Sequence, residues 1–350
     1  MTAALYGPGG FYVRGERPAA HFRTSVHTSG RYAAAVLALL REVDAALGQP
    51  ARLDLVDIGA GQGELLSQVL AAAGAAPTGT ALAGTALAGR IVPHAAEVAP
   101  RPPGLDRRIR WAPAPPPAIT GLVVASEWLD NVPIDAAELG PDGPRLVLVD
   151  TGTGAERSGP AVAPADLAWL RHWWPLRQLG DRAELGRPRC AAWAGVISRL
   201  DRGVALAADY AHRRGSRPAA GTLAGFRDGR PVRPIPDGSR DITAHVAVDA
   251  CAAAGVAAGA TATLLTTQRA ALRALGLTGR RPALRQADRD PAGYLAALRL
   301  AAEEAELTDP AGLGGFSWLI QAVGVPLPRS LASLDRPAAG VQQESLELRR

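Results

Sequence analysis

The sequence predicts an α/β fold, in which helices cover both faces of a mainly parallel β-sheet. Short apolar runs that are typical of buried strands alternate with longer segments whose apolar residues recur at helical spacing. One of these runs, residues 53–58, leads through a glycine-rich loop into an amphipathic helix. That order is typical of open α/β sheets that bind a ligand beyond the ends of their strands.

Each element is predicted from its own pattern. The first helix is expected over residues 29–47, where the apolar side chains form one helical stripe. Strands are expected at 53–58, 91–98, 109–111, 121–125, 145–150, 203–210, 260–267 and 315–323. Further helices are expected at 64–73, 163–200, 242–254, 268–275 and 294–307.

The predicted organisation is one main domain with additions at its start and in its middle. Residues 1–50 are expected to form an N-terminal segment and helix, and residues 51–325 the ligand-binding domain. That domain carries a tryptophan-rich, helical insertion at about 151–200, and residues 326–350 are predicted to be a disordered tail. We expect the N-terminal segment and the insertion to form a lid over the binding site.

The formal net charge of +5 does not predict a nucleic-acid partner. All 38 basic residues are arginines, and the abundance of alanine, glycine and proline indicates a coding bias rather than a binding surface. The densest basic clusters, at 212–217 and 278–289, have no interleaved aromatic residues on which bases would stack. A solvated surface is the better interpretation of both clusters.

Membrane, secreted and metal-binding classes are disfavoured as well. No apolar run reaches the ~20 residues that span a bilayer, and the first residues lack the basic and then apolar order of a secretion signal. Cys190 and Cys251 have neither metal-like nor disulfide-like spacing and are interpreted as small buried residues. We therefore expect a cytoplasmic protein that has no metal site and no membrane partner.

The loop after the first strand of the domain has the pattern D-x-G-x-G-x-G, formed by Asp57, Gly59, Gly61 and Gly63. A dinucleotide fingerprint requires a sixth-position glycine, where this chain has Glu64. Two carboxylates would repel a pyrophosphate at a helix start that normally attracts anions. S-adenosylmethionine (SAM), which carries an ammonium group and no phosphate, suits the loop better. A purely structural turn and a nucleotide site are the alternatives.

Two residues at the ends of the next strands are further candidates for contact with SAM. Glu97 follows the second strand, where an acid typically binds ribose hydroxyls, although the spacing is longer than usual. Trp111 ends the third strand and is placed to flank an adenine ring. A surface acid for Glu97 and a core position for Trp111 are the structural alternatives.

An acidic loop, "ASEWLDNVPI", follows the fourth strand and contains Glu127 and Asp130. Carboxylates at this end of the sheet would face the methyl group of a bound SAM. A guanidinium is protonated at any working pH, and paired carboxylates would hold it, orient one nitrogen and accept a proton. The alternative is that these acids cap the next helix or pair with a nearby arginine.

Two other polar positions are candidates near the same crevice. Asp209 and Tyr210 end a strand, and His245 is expected at a helix start for which Asp241 is the candidate N-cap. His245 is a candidate proton acceptor, and a structural, hydrogen-bonded histidine is the alternative.

Six motifs in one order resemble the MidA-type class I methyltransferases, which are related to the mitochondrial complex I assembly methyltransferase. The resemblance extends over about residues 5–325. The motifs are LYGPGGFY (5–12), HFRTSVHTS (21–29), VDIGAGQGEL (56–65), AEVAP (96–100), ASEWLDNVPI (125–134) and DYAH…GTLAGF…DITAHV (209–246).

The resemblance implies a class I methyltransferase sheet, SAM as cofactor and an arginine of a partner protein as substrate. Glu127, Asp130 and His245 carry over as catalytic candidates. Asp209 and Thr243 carry over as substrate-binding candidates, to which Tyr210 and His27 are added.

This chain departs from the family pattern in its N-terminal motif and before the acidic loop. Val26–His27 replace Pro-Glu, Ala20–His21 replace Gly-Asp, and Ser126 replaces Asn. These departures keep a second hypothesis open, a non-catalytic SAM-binding assembly protein on a methyltransferase fold. A nicotinamide-dependent oxidoreductase is disfavoured by the charge of the glycine loop.

Overall fold

A seven-stranded sheet lies at the centre of the computed structural model, which describes residues 1–13, 24–74 and 87–335. The strands are β1 (Leu53–Ile58), β2 (Ile91–Ala96), β3 (Arg110–Ala112), β4 (Ile119–Ser126), β5 (Ala136–Gly140), β6 (Gly143–Val149), β7 (Glu156–Ala161), β8 (Arg182–Glu184), β9 (Leu200–Asp209), β10 (Ala211–His212), β11 (Ala224–Arg227), β12 (Arg230–Val232), β13 (Asp241–Thr243), β14 (Val246–Ala247), β15 (Ala262–Thr267) and β16 (Ser317–Val323). The helices are α1 (Thr2–Tyr6), α2 (Ser25–Thr28), α3 (Gly30–Ala46), α4 (Glu64–Gly74), α5 (Pro164–Trp173), α6 (Arg187–Ile197), α7 (Val248–Ala257), α8 (Gln268–Ala274), α9 (Arg285–Arg289), α10 (Pro291–Leu307) and α11 (Arg329–Ala332).

The central sheet has the strand order β15-β16-β9-β4-β1-β2-β3. β1 pairs in parallel with β2 and β4, and β4 pairs in parallel with β9. Only β16 runs antiparallel to its neighbours, β9 and β15. Since β1 lies between β2 and β4, the strand order reverses there, and the carboxyl ends of these strands border one crevice.

Alternate residues of the strands are buried on opposite faces of the sheet. Leu55 and Leu122 belong to a core that contains the apolar faces of α3, α4 and α8, and Val56 and Val123 belong to a core with α6 and α7. Both faces of the strands are therefore covered, as parallel sheets require. The predicted fold class is confirmed.

The region between β4 and β9 differs from the predicted helical insertion at 151–200. It starts earlier and is built around an antiparallel sheet of order β7-β6-β5-β8, with α5 as its helix. Trp169 and Trp174 form the core of this unit, whereas Trp193 of α6 packs in the core of the main sheet. The tryptophans thus fill two cores, and they do not predict a single helical body.

Residues 242–254 form strand and loop before they form helix, so the single predicted helix is wrong in its first half. β13 pairs with β11, β14 pairs with β10, and α7 begins only at Val248. Asp241 therefore lies in a strand and is no N-cap. β-Branched residues at 242, 243 and 246 favour a strand, which explains the difference.

Two predictions on the ends of the chain are tested only in part. Residues 326–335 are not an irregular tail, because α11 forms there and its Leu331 is fully buried. Residues 336–350 and the departures at Ala20–His21 lie outside the described residues. No helix in the described ranges is long and apolar enough to span a membrane.

Candidate active site

The carboxyl ends of β1, β2 and β4 open into a cavity of about 980 Å³. Its walls come from the N-terminal segment, the glycine loop, the loops after β2, β3 and β4, and the small sheet β11–β13. Residues 143–200, all of them described, do not line it. Tyr6, Tyr12 and His27 of the N-terminal segment line the cavity, and the lid role of this segment stays a prediction. The insertion does not line the cavity, so the prediction that it helps to cover the site is wrong.

The glycine loop turns through three positive backbone angles. The φ values of Gly59, Gly61 and Gly63 are 70°, 59° and 80°. A Cβ at Gly59 would lie 3.0 Å from Trp128 Cδ1, and one at Gly63 would lie 2.9 Å from Leu105 Cδ1. Only glycine fits this path, which brings the backbone of Gly59 and Gly61 to the cavity wall.

Asp57, the next-to-last residue of β1, is a buried carboxylate that lines the cavity. Burial, with smaller effects from Glu64 and Glu97, raises the pKa of Asp57 to about 8. A buried carboxylate surrounded by other carboxylates favours a cationic ligand, because a positive charge restores its ionised form. Asp57 is therefore suited to an ammonium group.

Glu97 and Glu64 are fixed against the glycine loop by backbone donors. The Gly61 N–H donates to Glu97 Oε2 at 3.0 Å, and the Gln62 N–H donates to Glu64 Oε2 at 2.9 Å. His27 Nε2 lies 3.1 Å from Glu64 Oε1, so the histidine that replaces the family's acid contacts this loop. Burial opposes ionisation of Glu64, but hydrogen bonds from His27 and the backbone outweigh it and lower its pKa.

Trp111 does not line the cavity. Its indole N–H donates to the Ala99 carbonyl at 2.9 Å, and its ring lies behind Gly63. The wall at this point consists of Pro113, Ala114 and Pro115. The core alternative describes Trp111 better than contact with an adenine ring.

Glu127, at the end of β4, lines the cavity in an uncommon backbone conformation. Its φ is 52°, which few residues with a side chain adopt. Burial and the nearby Asp130 raise the pKa of Glu127 to about 8, although the Ser25 N–H, at 3.2 Å from Oε1, opposes the shift. A group poised near neutral pH is typical of general acid–base catalysis.

Asp130 and Asp209 form a buried pair beside Arg189. Burial raises the pKa of both carboxyl groups, and for Asp209 the charge of Asp130 adds to the effect. Arg189 donates to the carbonyls of Asp130, Val132, Ala244 and His245, so it ties the acidic loop to the segment after β13. Asp130 lines the cavity, whereas Asp209 lies behind it.

Thr243, Tyr210 and His245 also line the cavity. Thr243 Oγ1 donates to Asp130 Oδ2 at 3.0 Å. The rings of Tyr210 and His245 stack with centroids 5.8 Å apart. Burial lowers the pKa of His245, so the imidazole is mainly neutral at pH 7 and is able to accept a proton.

Sequence reasoning assigned no role to Tyr6, Tyr12 and Asn131, which all line the cavity. Tyr6 OH donates to the Asn131 carbonyl at 3.1 Å, and Tyr12 OH lies 2.8 Å from Asn131 Oδ1. Both tyrosines belong to the LYGPGGFY motif and Asn131 to the acidic loop. Both motifs can be recognised in the sequence. Their contact cannot, because it joins residues more than one hundred positions apart.

Six acidic side chains line the cavity among apolar and neutral residues. Its charged lining consists of carboxylates, and within the described residues no arginine lines it. The acids that line it are Asp57, Glu64, Glu97, Glu127, Asp130 and Asp241. SAM fits these residues. Asp57 is placed for its ammonium group and Glu97 for its ribose hydroxyls, and the glycine loop lets the backbone approach the ligand closely.

Two solved structures from Burkholderia thailandensis, both of the COG1565 superfamily, are similar over most of the chain. One, with S-adenosyl-homocysteine bound, has 26% identity and a TM-score of 0.74, and covers 96% of this chain and 89% of that one. The other, a native structure, has 28% identity, a TM-score of 0.74 and the same coverage. No curated protein matches the chain.

A family model described as S-adenosyl-L-methionine-dependent methyltransferases matches residues 36–266, well over half of the chain. This match and the two structures confirm the resemblance to MidA-type methyltransferases and SAM as the cofactor. The chain thus belongs to this family of SAM-dependent methyltransferases.

Proposed function

We propose that this methyltransferase transfers the methyl group of SAM to an arginine nitrogen of a partner protein. The observation that carries the proposal is the charge of the cavity, whose lining contains several carboxylates and, within the described residues, no arginine. Such a cavity attracts a cation in addition to the ammonium and sulfonium of the cofactor.

The part of the cavity lined by Glu127 and Asp130 suits a guanidinium group in charge and in shape. It is always protonated and donates from a planar fork, which Glu127 and Asp130 are placed to accept. It also stacks on aromatic faces more readily than an ammonium group does. Tyr6 and Tyr210 are aromatic lining residues close enough to Asp130 to feel its charge.

Glu127 is the group that we assign to the substrate nitrogen. SAM, when bound, supplies a methyl group on a positively charged sulfur, which departs with the electron pair of the broken C–S bond. Glu127 orients the nitrogen for in-line attack and accepts the proton that the nitrogen loses as the N–C bond forms. The arriving guanidinium lowers the raised pKa of Glu127 and so provides the ionised carboxylate that this step needs.

Labelling of cell proteins tests the proposal. The purified protein is incubated with tritiated SAM and a lysate of source cells that lack the gene, and the labelled residues are identified by mass spectrometry. We expect label on arginine in one or a few proteins. Glu127→Gln should lose the label, and Glu138→Gln should retain it, because Glu138 pairs with Arg182 on the insertion sheet, away from the cavity.

Other outcomes separate the alternatives. Label on lysine, on a carboxylate or only on small molecules would contradict arginine as the acceptor. SAM binding without label in any fraction would favour the non-catalytic hypothesis.

A further inference from the structure

We infer that Asn131 and Tyr12 are positioning residues that hold the Glu127 turn in its catalytic geometry. The inference rests on the proposed function, because it is there that Glu127 is assigned to the substrate nitrogen. Neither residue is assigned to the reaction itself: each acts on Glu127 through hydrogen bonds.

The Glu127 turn needs support because its backbone is left-handed. With φ at 52°, the turn persists only if its surroundings fix it. The Glu127 N–H donates to the Ala208 carbonyl at 2.8 Å, which continues the pairing of β4 with β9. The Glu127 carbonyl accepts from Asn131 Nδ2 at 3.0 Å. The peptide groups on both sides of the strained angle are thus held.

The orientation of the Asn131 amide follows from its partners. The Glu127 carbonyl only accepts hydrogen bonds, so the NH₂ group of Asn131 must face it. Asn131 Oδ1 then faces the Tyr12 hydroxyl at 2.8 Å. The same hydroxyl lies 3.2 Å from Asp241 Oδ1, so its single proton is shared between two acceptors. Tyr12 therefore fixes the side chain of Asn131, and Asn131 in turn holds the Glu127 turn.

The N-terminal segment is anchored well enough to act as this support. Phe11 and Leu5 are fully buried in a small core with Ile242. The Tyr6 ring stacks on the Tyr12 ring with centroids 5.5 Å apart, and the Tyr6 hydroxyl donates to the Asn131 carbonyl. Asn131 is thus held at its backbone and at its side chain by the same segment.

A second contact reaches Glu127 from residues 24–28. The Ser25 N–H donates to the Glu127 carboxylate, and Ser25 Oγ is hydrogen bonded to the fully buried Gln268. The titratable groups around Glu127 are Asp130, Asp209, Tyr32 and Tyr210. The charge of Asp130 raises the pKa of Glu127, and Tyr32 and Tyr210 stay neutral because burial raises their pKa values.

Carboxyl NMR of protein labelled at glutamate Cδ tests the inference directly. Glu127→Gln identifies the Glu127 signal, which in the wild type should titrate near pH 8. In Tyr12→Phe and Asn131→Leu the turn relaxes toward solvent, so the pKa should fall toward that of an exposed glutamate. SAM affinity should stay within about twofold. Tyr294→Phe, on α10 and away from the cavity, is the control and should leave the signal unchanged.

Tyr12→Phe keeps the ring and its packing, so this variant tests the hydrogen bond even if Asn131→Leu does not fold. An unchanged or higher pKa of Glu127 in folded Tyr12→Phe would overturn the inference. If the pKa falls but no protein is methylated by the wild type, the positioning stands and only the proposed substrate is contradicted.

Discussion

Asp130, in the loop after β4, and Asp209, the last residue of β9, form a buried carboxyl pair. Each has one oxygen, Oδ1, that is buried without a conventional hydrogen-bond partner, and the two carboxyl groups interact directly. Their other oxygens accept from Thr243 Oγ1 and from the Leu129 N–H, each at 3.0 Å. Two adjacent buried carboxylates do not both ionise, so one proton between them supplies the missing partner.

The shared proton makes Asp209→Asn a mild change and Asp209→Leu a severe one. The asparagine amide donates permanently to Asp130 and still accepts from Leu129, so the free energy of unfolding should change by less than about 1 kcal/mol. Leucine leaves Asp130 and the Leu129 N–H without partners and should cost about 2–4 kcal/mol. Urea unfolding at pH 7 measures both. Equal losses would contradict the shared proton.

Arg189 should contribute far more to stability than an exposed arginine of the same helix. Its guanidinium is buried and donates to four backbone carbonyls next to the carboxyl pair. Arg189→Met leaves these acceptors unpaired and should cost about 3–5 kcal/mol. Arg187→Met, which breaks an exposed pair with Asp166, is the control and should cost less than about 1 kcal/mol. Urea unfolding compares them, and similar losses would argue against the buried network.

Asp57 makes the protein without ligand less stable as pH rises. Its folded pKa, about 8, lies above the ordinary value of ~3.9. Between these values the unfolded chain releases the proton that the folded chain keeps, so Asp57 lowers the free energy of unfolding progressively up to pH 8. The advantage of Asp57→Asn over the wild type should therefore grow from pH 5 to pH 8 in urea unfolding. An advantage independent of pH would contradict the raised pKa.

Gly59 should be required for SAM affinity beyond its effect on the backbone. Its φ is 70°, and an added Cβ would press on Trp128, which lines the cavity. Gly104 has φ 78° with open space around it, so Gly104→Ala imposes similar strain without the clash. Calorimetric titration should show at least a tenfold loss of SAM affinity for Gly59→Ala, about 1.4 kcal/mol. Gly104→Ala should bind as the wild type does, and equal losses would indicate a global effect.

The sequence predicted the central sheet well because buried strands have a strong local pattern. The strands predicted at 53–58 and 260–267 match β1 and β15 closely, and the glycine loop lies where its spacing placed it. Edge elements were harder to predict. The short strands β13 and β14 are defined by pairing with distant strands, and an apolar run alone does not distinguish them from the helix that follows.

The sequence pointed to acids that the structure places at the cavity, but it did not point to the residues that hold them. Glu97 and Glu127 line the cavity, as strand-end carboxylates in a parallel sheet should. Arg189 and Asn131 are held by contacts with residues remote in sequence, such as Ala244 for Arg189 and Tyr12 for Asn131, which no local pattern encodes. Trp111, by contrast, was a candidate for ligand contact and packs behind the cavity. A large aromatic residue at a strand end fits either position, so its place is not predictable from the sequence.

The central claim is that two acids of the cavity have different roles: Glu97 binds the cofactor, and Glu127 binds the acceptor nitrogen. Glu97→Gln and Glu127→Gln are the same chemical change at two positions on one cavity, and titration calorimetry with SAM compares them directly. We predict that Glu97→Gln binds SAM at least tenfold more weakly, about 1.4 kcal/mol, and that Glu127→Gln binds it within about twofold of the wild type. Tight binding by Glu97→Gln together with lost binding by Glu127→Gln would contradict the account.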